Sequence, residues 1–411
     1  MAEPGAIRGL DLLLPAPPAH RYVPETEPRG ARSAPLTGRK RRSRRLSAYP
    51  IPGVHDRQET CAVLSPPEAT APATNTAPAP GPVPATPVPA TPDPTAPDPT
   101  APAGPAARHR AARLLAVGAV VWAAATALHA SIPNTGVNAG SLFQTLLPWT
   151  GLGVPFLLVL AAVLRSRLAA VAVLAPAVVW VTLFGGALTD KRSGGGDLTV
   201  VSHNVDEANT DPAGTARVLA GAGADVLALE ELSDASAPVY SRELASAYPH
   251  HAVLGGVGIW SRHPLADVKE VPIMPWTRAM RATVRAPDGP PVAVYAVHLA
   301  SVRVSAAGFT TGRRNEAARE LAAALRAESA PRVVVLGDLN GTYRDRALAP
   351  VTSQLRSAQG EAGAGLGFTW PAAFPMARID DVLVRGLTPR AAWTLPATGS
   401  DHLPVAATLS R

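Results

Sequence analysis

Three long blocks of this chain lack the polar positions that a water-facing element needs. Residues 114–130, 142–164 and 168–188 contain no Asp, Glu, Lys or Arg, and each comes near the ~20 apolar residues that cross a bilayer as a helix. Three such helices in succession have no polar face to turn to water, which argues against burial in a soluble core. The pattern predicts three transmembrane helices within a membrane domain over 108–189. After Asp197 the pattern changes. Apolar, β-rich runs at Leu198–Val201, Val226–Leu229, Val292–Val297, Val333–Leu336, Ile379–Val384 and Val405–Leu409 predict strands. Between some of them lie stretches of helical period, Thr215–Ala222 and Arg313–Ala327, the latter with Ala317, Leu321, Ala324 and Leu325 on one face. Residues 198–411 are thus predicted to form a layered α/β domain of two packed sheets with helices outside.

Ahead of the spans the composition shifts again. Residues 62–107 run in Pro, Ala and Thr with short echoes (PVPATPVPAT, PDPTAPDPTAP). They carry too few large apolar side chains to offset chain entropy, so a disordered tail is predicted over 1–107. The basic run Arg39-Lys40-Arg41-Arg42-Ser43-Arg44-Arg45 is not an export signal, because Gly53, His55 and Asp56 follow where an apolar stretch is required. It fits a solvated or membrane-surface patch. The single cysteine, Cys61, excludes an internal disulfide without deciding the compartment.

Charge sets the orientation. Arg108, Arg110 and Arg113 precede the first span and Arg165 and Arg167 separate the second from the third, whereas the other side has Lys191 and Arg192. This bias predicts a cytoplasmic N-terminus, and an odd number of spans then puts the C-terminal domain outside the cytoplasm. The segment Thr189–Gly196 reaches less than ~30 Å, at ~3.3–3.6 Å per residue, so the domain stays against the bilayer. The net charge is +7, yet from Asp197 onward 20 Lys and Arg meet 21 Asp and Glu. The basic excess belongs to the front of the chain, which argues against duplex nucleic acid as the partner of the domain.

Polar residues gather where the predicted strands end. Ser202-His203-Asn204 closes the first run, Glu230-Glu231 the second and His298 the third. Gly337-Asp338-Leu339-Asn340 closes the fourth, and Ser400-Asp401-His402 precedes the last. Carboxylates grouped without matching Lys or Arg are costly unless a cation sits among them. Hard oxygen donors suit Mg²⁺ or Mn²⁺ rather than zinc.

The ordered motifs SHNV, DVLALEEL, GIWSRHPL, VYAVHL, GDLN, RIDDVLV and GSDHLP resemble those of the endonuclease/exonuclease/phosphatase (DNase I-like) superfamily, over nearly all of Leu198–Arg411. The resemblance implies a β-sandwich flanked by helices in four layers, and metal-dependent hydrolysis of a phosphate ester or anhydride. It implies that Glu231 binds the metal, with Glu230 in place of the usual glutamine, and that Asn204 and Asp401 complete the metal site. Asp338 would align and deprotonate the attacking water. Asn340 and His298 would donate to phosphate oxygens. His402 would be general acid or phosphate stabiliser, oriented by Asp380, while Asp381 stands where the family often has an aromatic residue. Arg314 could grip phosphate or lie on a solvated helix face. Trp276 and Trp370 fit packing better than substrate contact, and His250-His251 reads as loop with no metal role.

With its three spans and short tether, the chain also resembles the membrane-anchored, VanJ-like branch associated with teicoplanin and vancomycin resistance. That resemblance implies a phosphorylated, lipid-linked substrate of the cell envelope, such as a polyprenyl pyrophosphate. Two rival readings are an extracellular nuclease or phospholipid phosphodiesterase of the same superfamily, and a non-catalytic sensor or binding domain. The full set of motif residues speaks against the second.

Overall fold

The structure is a computed structural model that describes residues 104–287, 289–305 and 308–411. Of the tail predicted to be disordered over 1–107, residues 1–103, with the basic run and Cys61, lie outside the described residues, whereas residues 105–107 already belong to the first turn of a helix. The first helix, α1 (Pro105–Ala127), starts well ahead of the predicted span at 114, with Pro105 at its first position. Proline costs nothing there, because the first N–H has no intrahelical acceptor. After it come α2 (Ala139–Thr145), a 3₁₀ stretch (Leu147–Leu152), α3 (Gly153–Val163), α4 (Arg167–Ala172), α5 (Leu174–Phe184) and a 3₁₀ turn (Gly185–Leu188).

Two helical segments, Pro105–Ala127 and Arg167–Leu188, are long and apolar enough to cross a membrane. The middle segment corrects the expectation of one unbroken helix over 142–164. It is a pair, Ala139–Thr145 and Leu147–Val163, bent by 69°. Polar residues of α2 explain the break, since they are held by the C-terminal half of the chain. Ser141 Oγ donates to Asp345 Oδ1 at 3.2 Å, and Gln144 Oε1 accepts from Arg346 N at 2.8 Å. The outward faces of these helices stay apolar: Val117, Val121, Phe156, Val159, Val178 and Val181 are all exposed. At one end of the bundle Arg108, Arg165 and Arg167 line a common cleft. At the other, three indole N–H groups meet backbone carbonyls: Trp122 with Thr150, Trp180 with Pro148, and Trp149 with Met376, at 3.2, 2.8 and 2.8 Å. Gly151 lets the Trp180 ring lie on the backbone, because a Cβ there would come within 2.4 Å of its Nε1.

The C-terminal half is a sandwich of two six-stranded mixed sheets. One contains β1 (Leu198–Asn204), β2 (Val226–Glu230), β3 (His250–Leu254) and β4 (Val257–Ser261). The other contains β5 (Leu265–Glu270), β6 (Ala279–Val284) and β7 (Val292–His298). A small hairpin follows, β8 (Arg303–Ser305) with β9 (Gly308–Thr310), and then β10 (Val333–Asp338) and β11 (Arg356–Ser357) of the second sheet. The chain finishes with β12 (Asp380–Arg385) of the second sheet and with β13 (Thr388–Thr394) and β14 (Val405–Ser410) of the first. The strand orders are β13-β14-β1-β2-β4-β3 and β11-β12-β10-β7-β6-β5.

Helices cover both outer faces. Alternate residues of the central strands, such as Val200, Ala228, Val294 and Val334, meet between the sheets. The intervening residues Val201, Leu227 and Leu229 pack under α6 (Pro212–Gly221) and α7 (Ala237–Leu244). Val333 and Val335 pack under α8 (Gly312–Ala327), through Ala317, Leu321 and Leu325. The result is the expected four-layer arrangement, helix, sheet, sheet, helix. His250 and His251 are a correction: they lie on β3 and not in a loop, with the His251 ring stacked 6.0 Å from that of Trp260. The segment joining helices to sandwich is pinned along the domain, Ser193 N bonding to Arg390 O at 2.7 Å and Asp197 N to Leu409 O at 2.9 Å. The β8–β9 hairpin reaches back to the helices, where Asn138 Nδ2 donates to Phe309 O at 2.8 Å.

Candidate active site

The period-2 alternation of the strands builds the site. Inward positions of β1 read Leu198, Val200, Ser202, Asn204, and those of β2 read Val226, Ala228, Glu230. Inward positions of β7 run from Val292 to His298 and those of β10 end at Asp338, while β12 begins inward with Asp380 before Val382 and Val384. On every one of these strands the inward face turns from apolar to polar at the same end. Register brings them level: Asn204 lies opposite Glu230, and Asp338 lies opposite both His298 and Asp380. Gly337 permits this closeness of β10 and β7, since a Cβ on it would meet Val297 O at 1.8 Å. The odd residue out is His203, whose side chain faces Thr398 instead of the cluster.

Glu231 is the first residue past β2, at φ 59°. That left-handed backbone is costly for a side chain and recurs at functional sites; Asn340 has it too, at φ 46°. It turns Glu231 out of the sheet toward His298, Oε1 to Nε2 3.5 Å, with its side chain 24% exposed. Glu230 stays buried, taking a hydrogen bond from Ser202 Oγ at 3.0 Å, and its Oε2 has no partner among the described residues. The two adjacent glutamates therefore differ in access: only Glu231 reaches the open site.

From Glu231 the contacts continue as an arc. His298 Nε2 is 3.6 Å from Asp338 Oδ2, and His402 Nε2 is 3.9 Å from the same oxygen and 3.8 Å from Asp401 Oδ1. Arg278 Nη1 donates to His298 Nδ1, so the ring proton of His298 sits on Nε2 and points at the carboxylates. Burial, Arg278 and His402 all push His298 well below its ordinary range, consistent with a neutral ring that donates. His402 differs. Burial disfavours its charge, but Asp380, bonded to Nδ1 at 2.9 Å, with Asp338 and Asp401, outweighs burial and raises it to about 10. Asp338 is raised to about 7 by burial and by Asp380, against His402 and the bonds from Asn340 N and Asn204.

The remaining expected residues have definite places. Asn204 Nδ2 donates to Asp338 Oδ2 at 3.1 Å. Asn340 Nδ2 donates to Leu299 O and to Asp338 Oδ2, both at 3.0 Å, so its amide hydrogens fix Asp338 in this arrangement. Asp381 points away, to Ser357 and Arg378. Arg314 neither grips the site nor faces solvent. It is buried against Asp345 at 2.7 Å and bonds Asn340 O at 3.2 Å, bracing the loop after β10. Trp370 is exposed at the rim, its Nε1 donating to Asp401 Oδ2 at 3.0 Å, and Trp276 is also exposed. Two roles were not anticipated from the sequence. Arg278 sets the tautomer of His298, and Ser400 ties Asn204 O to His402 N, at 2.7 and 3.0 Å. The only signal for Arg278 was a charge just before a strand-like run.

A sequence signature described as the Endonuclease/Exonuclease/phosphatase family matches residues 201–402. Residues 201–402 form an endonuclease/exonuclease/phosphatase family domain. No curated protein sequence matches the chain. Among solved structures, the endonuclease/exonuclease/phosphatase from Beutenbergia cavernae is similar at 20% identity and a TM-score of 0.42, covering 53% of this chain and 72% of that one. The endonuclease/exonuclease/phosphatase from Bacteroides vulgatus is similar at 14% identity and a TM-score of 0.45, covering 52% and 98%. Sphingomyelinase C from Streptomyces griseocarneus is similar at 22% identity and a TM-score of 0.41, covering 51% and 98%.

Members of the endonuclease/exonuclease/phosphatase family are in general hydrolytic phosphoesterases that use a divalent metal. The donor set here fits such an ion. Asp338, Asp380 and His402 offer ligand atoms within 4.8 Å of one another and could hold one, and the Glu231 carboxylate opens onto the same cleft. His402, however, already bonds Asp380 through Nδ1 and favours its charged form, which has no lone pair to give a metal. The carboxylate oxygens of Asp338 and Asp380, with Glu231 opening onto the same cleft, are the donors left for a hard cation.

Proposed function

We propose that the domain hydrolyses a phosphate ester or anhydride with a divalent cation, and that the helices fix it to a membrane with the site outside the cytoplasm. The observation that carries the catalytic reading is the Asp380–His402–Asp338–His298–Glu231 arc, closed on one side by the sandwich and open on the other. Asp338, held by Asn204 and Asn340, would take a proton from an attacking water. The Nε2–H of His298 would donate to a non-bridging phosphate oxygen, and the Nε2–H of His402 would stabilise or protonate the leaving oxygen, with Asp380 fixing its ring. A divalent cation, Mg²⁺ or Mn²⁺, held by Glu231 with Asn204 and Asp401 would polarise the phosphoryl group and offset charge on the leaving oxygen.

The apolar outer faces of the helices and the short pinned connection support a substrate that is itself in the membrane. A lipid-linked phosphate or pyrophosphate of the cell envelope fits, and with it a part in glycopeptide resistance. The near-neutral domain, with 20 Lys and Arg against 21 Asp and Glu from Asp197 onward, supports this over a nuclease. The test is a panel of polyprenyl pyrophosphate, sphingomyelin and DNA, given to the full chain in detergent with and without Mg²⁺, beside Glu231→Ala. Metal-dependent release of phosphate from the pyrophosphate, lost in Glu231→Ala, is the expected result. Preferential cleavage of DNA or sphingomyelin would overturn the substrate, and turnover unaffected by chelation would overturn the chemistry.

A further inference from the structure

Where the helices meet the domain, the chain encloses a cavity of 340 Å³ that none of the active-site residues lines. One wall is apolar, made of Leu147, Leu183, Phe184 and Phe368. Three cations, Lys191, Arg344 and Arg378, also line it. Arg344 lies over the Phe184 ring, 5.4 Å from its centroid, and donates to Leu183 O at 2.7 Å. Lys191 Nζ donates to Gly360 O at 2.6 Å. Neither forms an ion pair with a carboxylate among the described residues, and only Arg378 has one close by, Asp381 at 3.6 Å. Burial and the nearby charge of Arg378 push both Lys191 and Arg344 below their ordinary ranges. The place is short of negative charge.

The cavity also has a definite level along the helices. Leu147 and Pro148 line it, and Pro148 is the acceptor for the Trp180 indole, beside the Trp149 and Trp122 bonds described above. Trp149 in turn stacks on Phe368 of the cavity wall, centroids 5.5 Å apart. Indoles with an apolar body and a bonded N–H concentrate at the boundary between hydrocarbon and water. A cationic pocket between helices at that depth matches a lipid headgroup.

We propose that this cavity binds the headgroup of an anionic glycerophospholipid, its phosphate among Lys191, Arg344 and Arg378 and its acyl chain along Leu147, Leu183 and Phe184. The proposal rests on the reading that the helices lie in a bilayer. A lipid seated there joins the end of α5 to the Thr342–Arg346 loop, which follows Asn340 of the active site, and so fixes the domain against the membrane.

The experiment measures lipid retained by the full chain in detergent by native mass spectrometry, with dioleoyl phosphatidylglycerol, dioleoyl phosphatidylcholine and inorganic phosphate as separate probes. Phosphatidylglycerol is expected to bind in preference to the other two. Lys191→Gln and Arg344→Gln, which keep an N–H donor, should each lose about five- to tenfold in affinity for it, the worth of one charge at an anionic lipid surface. Arg110→Gln, at the other end of the helices, should lose nothing. Equal retention of the two lipids, unchanged affinity in Lys191→Gln and Arg344→Gln, or saturation by inorganic phosphate would each overturn the site. Detergent phase partition separates this failure from that of the membrane reading. A chain recovered in the aqueous phase overturns both, whereas one in the detergent phase without a phosphatidylglycerol preference overturns the lipid site alone.

Discussion

Asp380 hydrogen-bonds one group of the proposed machinery, the Nδ1 of His402 at 2.9 Å, and also lies close enough to Asp338 to raise it, so the ring is its main but not its sole route to turnover. His402→Ala and Asp380→Ala should each lower kcat by about 10²–10⁴-fold, the usual worth of a general acid or base. The double variant should be little worse than either, because a carboxylate with no imidazole has nothing to orient. Metal content measured in parallel should stay near wild type in His402→Ala if, as proposed, coordination rests on carboxylates and not on the charged imidazole. Fully additive losses would mean independent roles. At this scale the sequence named the cluster but not its finer geometry. Which of Glu230 and Glu231 reaches the open site depends on the left-handed backbone at Glu231, and no periodicity announces a single residue of positive φ. Asp380 and Asp381 are separated by strand alternation: the first faces inward to His402, the second outward to Ser357. Arg278 stayed hidden because a tautomer-setting contact joins residues 20 apart in sequence through a strand pairing the sequence does not spell out.

Among the elements, the strands with long apolar runs were legible; the edge strands were not, nor were the buried β4 and β6, whose runs are broken by Gly258, Arg281 and Thr283. β1, β2, β7, β10, β12 and β14 lie on the predicted apolar runs because both of their faces are covered, one by the opposite sheet and one by helices, and they need continuous hydrophobicity. β3 and β5 lie at the edges, where one side of the ladder and part of each face meet water. Their sequences, HHAVL and LADVKE, carry too little apolar pattern to be told from loop. The bend in the middle helical pair was hidden for a different reason: hydropathy does not distinguish a polar residue facing lipid from one docked on a protein surface, as Ser141 and Gln144 are. One tie between elements makes a pH-dependent prediction. Glu328, just past α8, accepts from Arg281 of β6 and Tyr295 of β7 at 3.0 and 2.8 Å. Burial would raise it, but these bonds and that from Ala330 N outweigh burial and bring it down to about 2. Because the folded value is depressed, the ionised form adds stability that is fully present above its ordinary pKa of ~4.3 and is lost as pH falls toward 2. Glu328→Gln should cost about 1.5–3 kcal/mol at pH 7, the range for hydrogen bonds to a charged group. Denaturant unfolding at pH 7 and pH 3 should show the gap between variant and wild type narrowing in acid, and an equal gap at both would mean that shape rather than charge holds the tie.

For the whole molecule, sidedness turns on the middle helical segment. With two spans the N-terminal tail and the domain would share a compartment; with three they would be on opposite sides. Leu147–Val163 starts at the level of the indoles, beside Trp122 and Trp180. The Leu164–Arg167 turn that follows lines a cleft with Arg108 at the other end of α1. The segment therefore runs the length of the bundle. Its 3₁₀ part, Leu147–Leu152, and its α part, Gly153–Val163, rise about 2.0 and 1.5 Å per residue, together about 28 Å. That is close to the ~30 Å of a hydrocarbon core. The cations divide accordingly. Arg108, Arg110, Arg113, Arg165 and Arg167 belong to the end away from the domain, and Lys191 and Arg192 to the end beside it; in the proposed orientation the first group would face the cytoplasm. A reporter active only outside the cytoplasm should therefore work when fused after Arg411 and be silent when fused ahead of Arg108. Exchanging Arg165 and Arg167 for neutral residues should weaken that contrast, because those two carry the bias at the second crossing. Activity of both fusions, or of neither, would mean that the middle segment enters and leaves on one side. The active site would then face the same compartment as the tail, and an extracytoplasmic envelope substrate would have to be abandoned even if the phosphoesterase chemistry held.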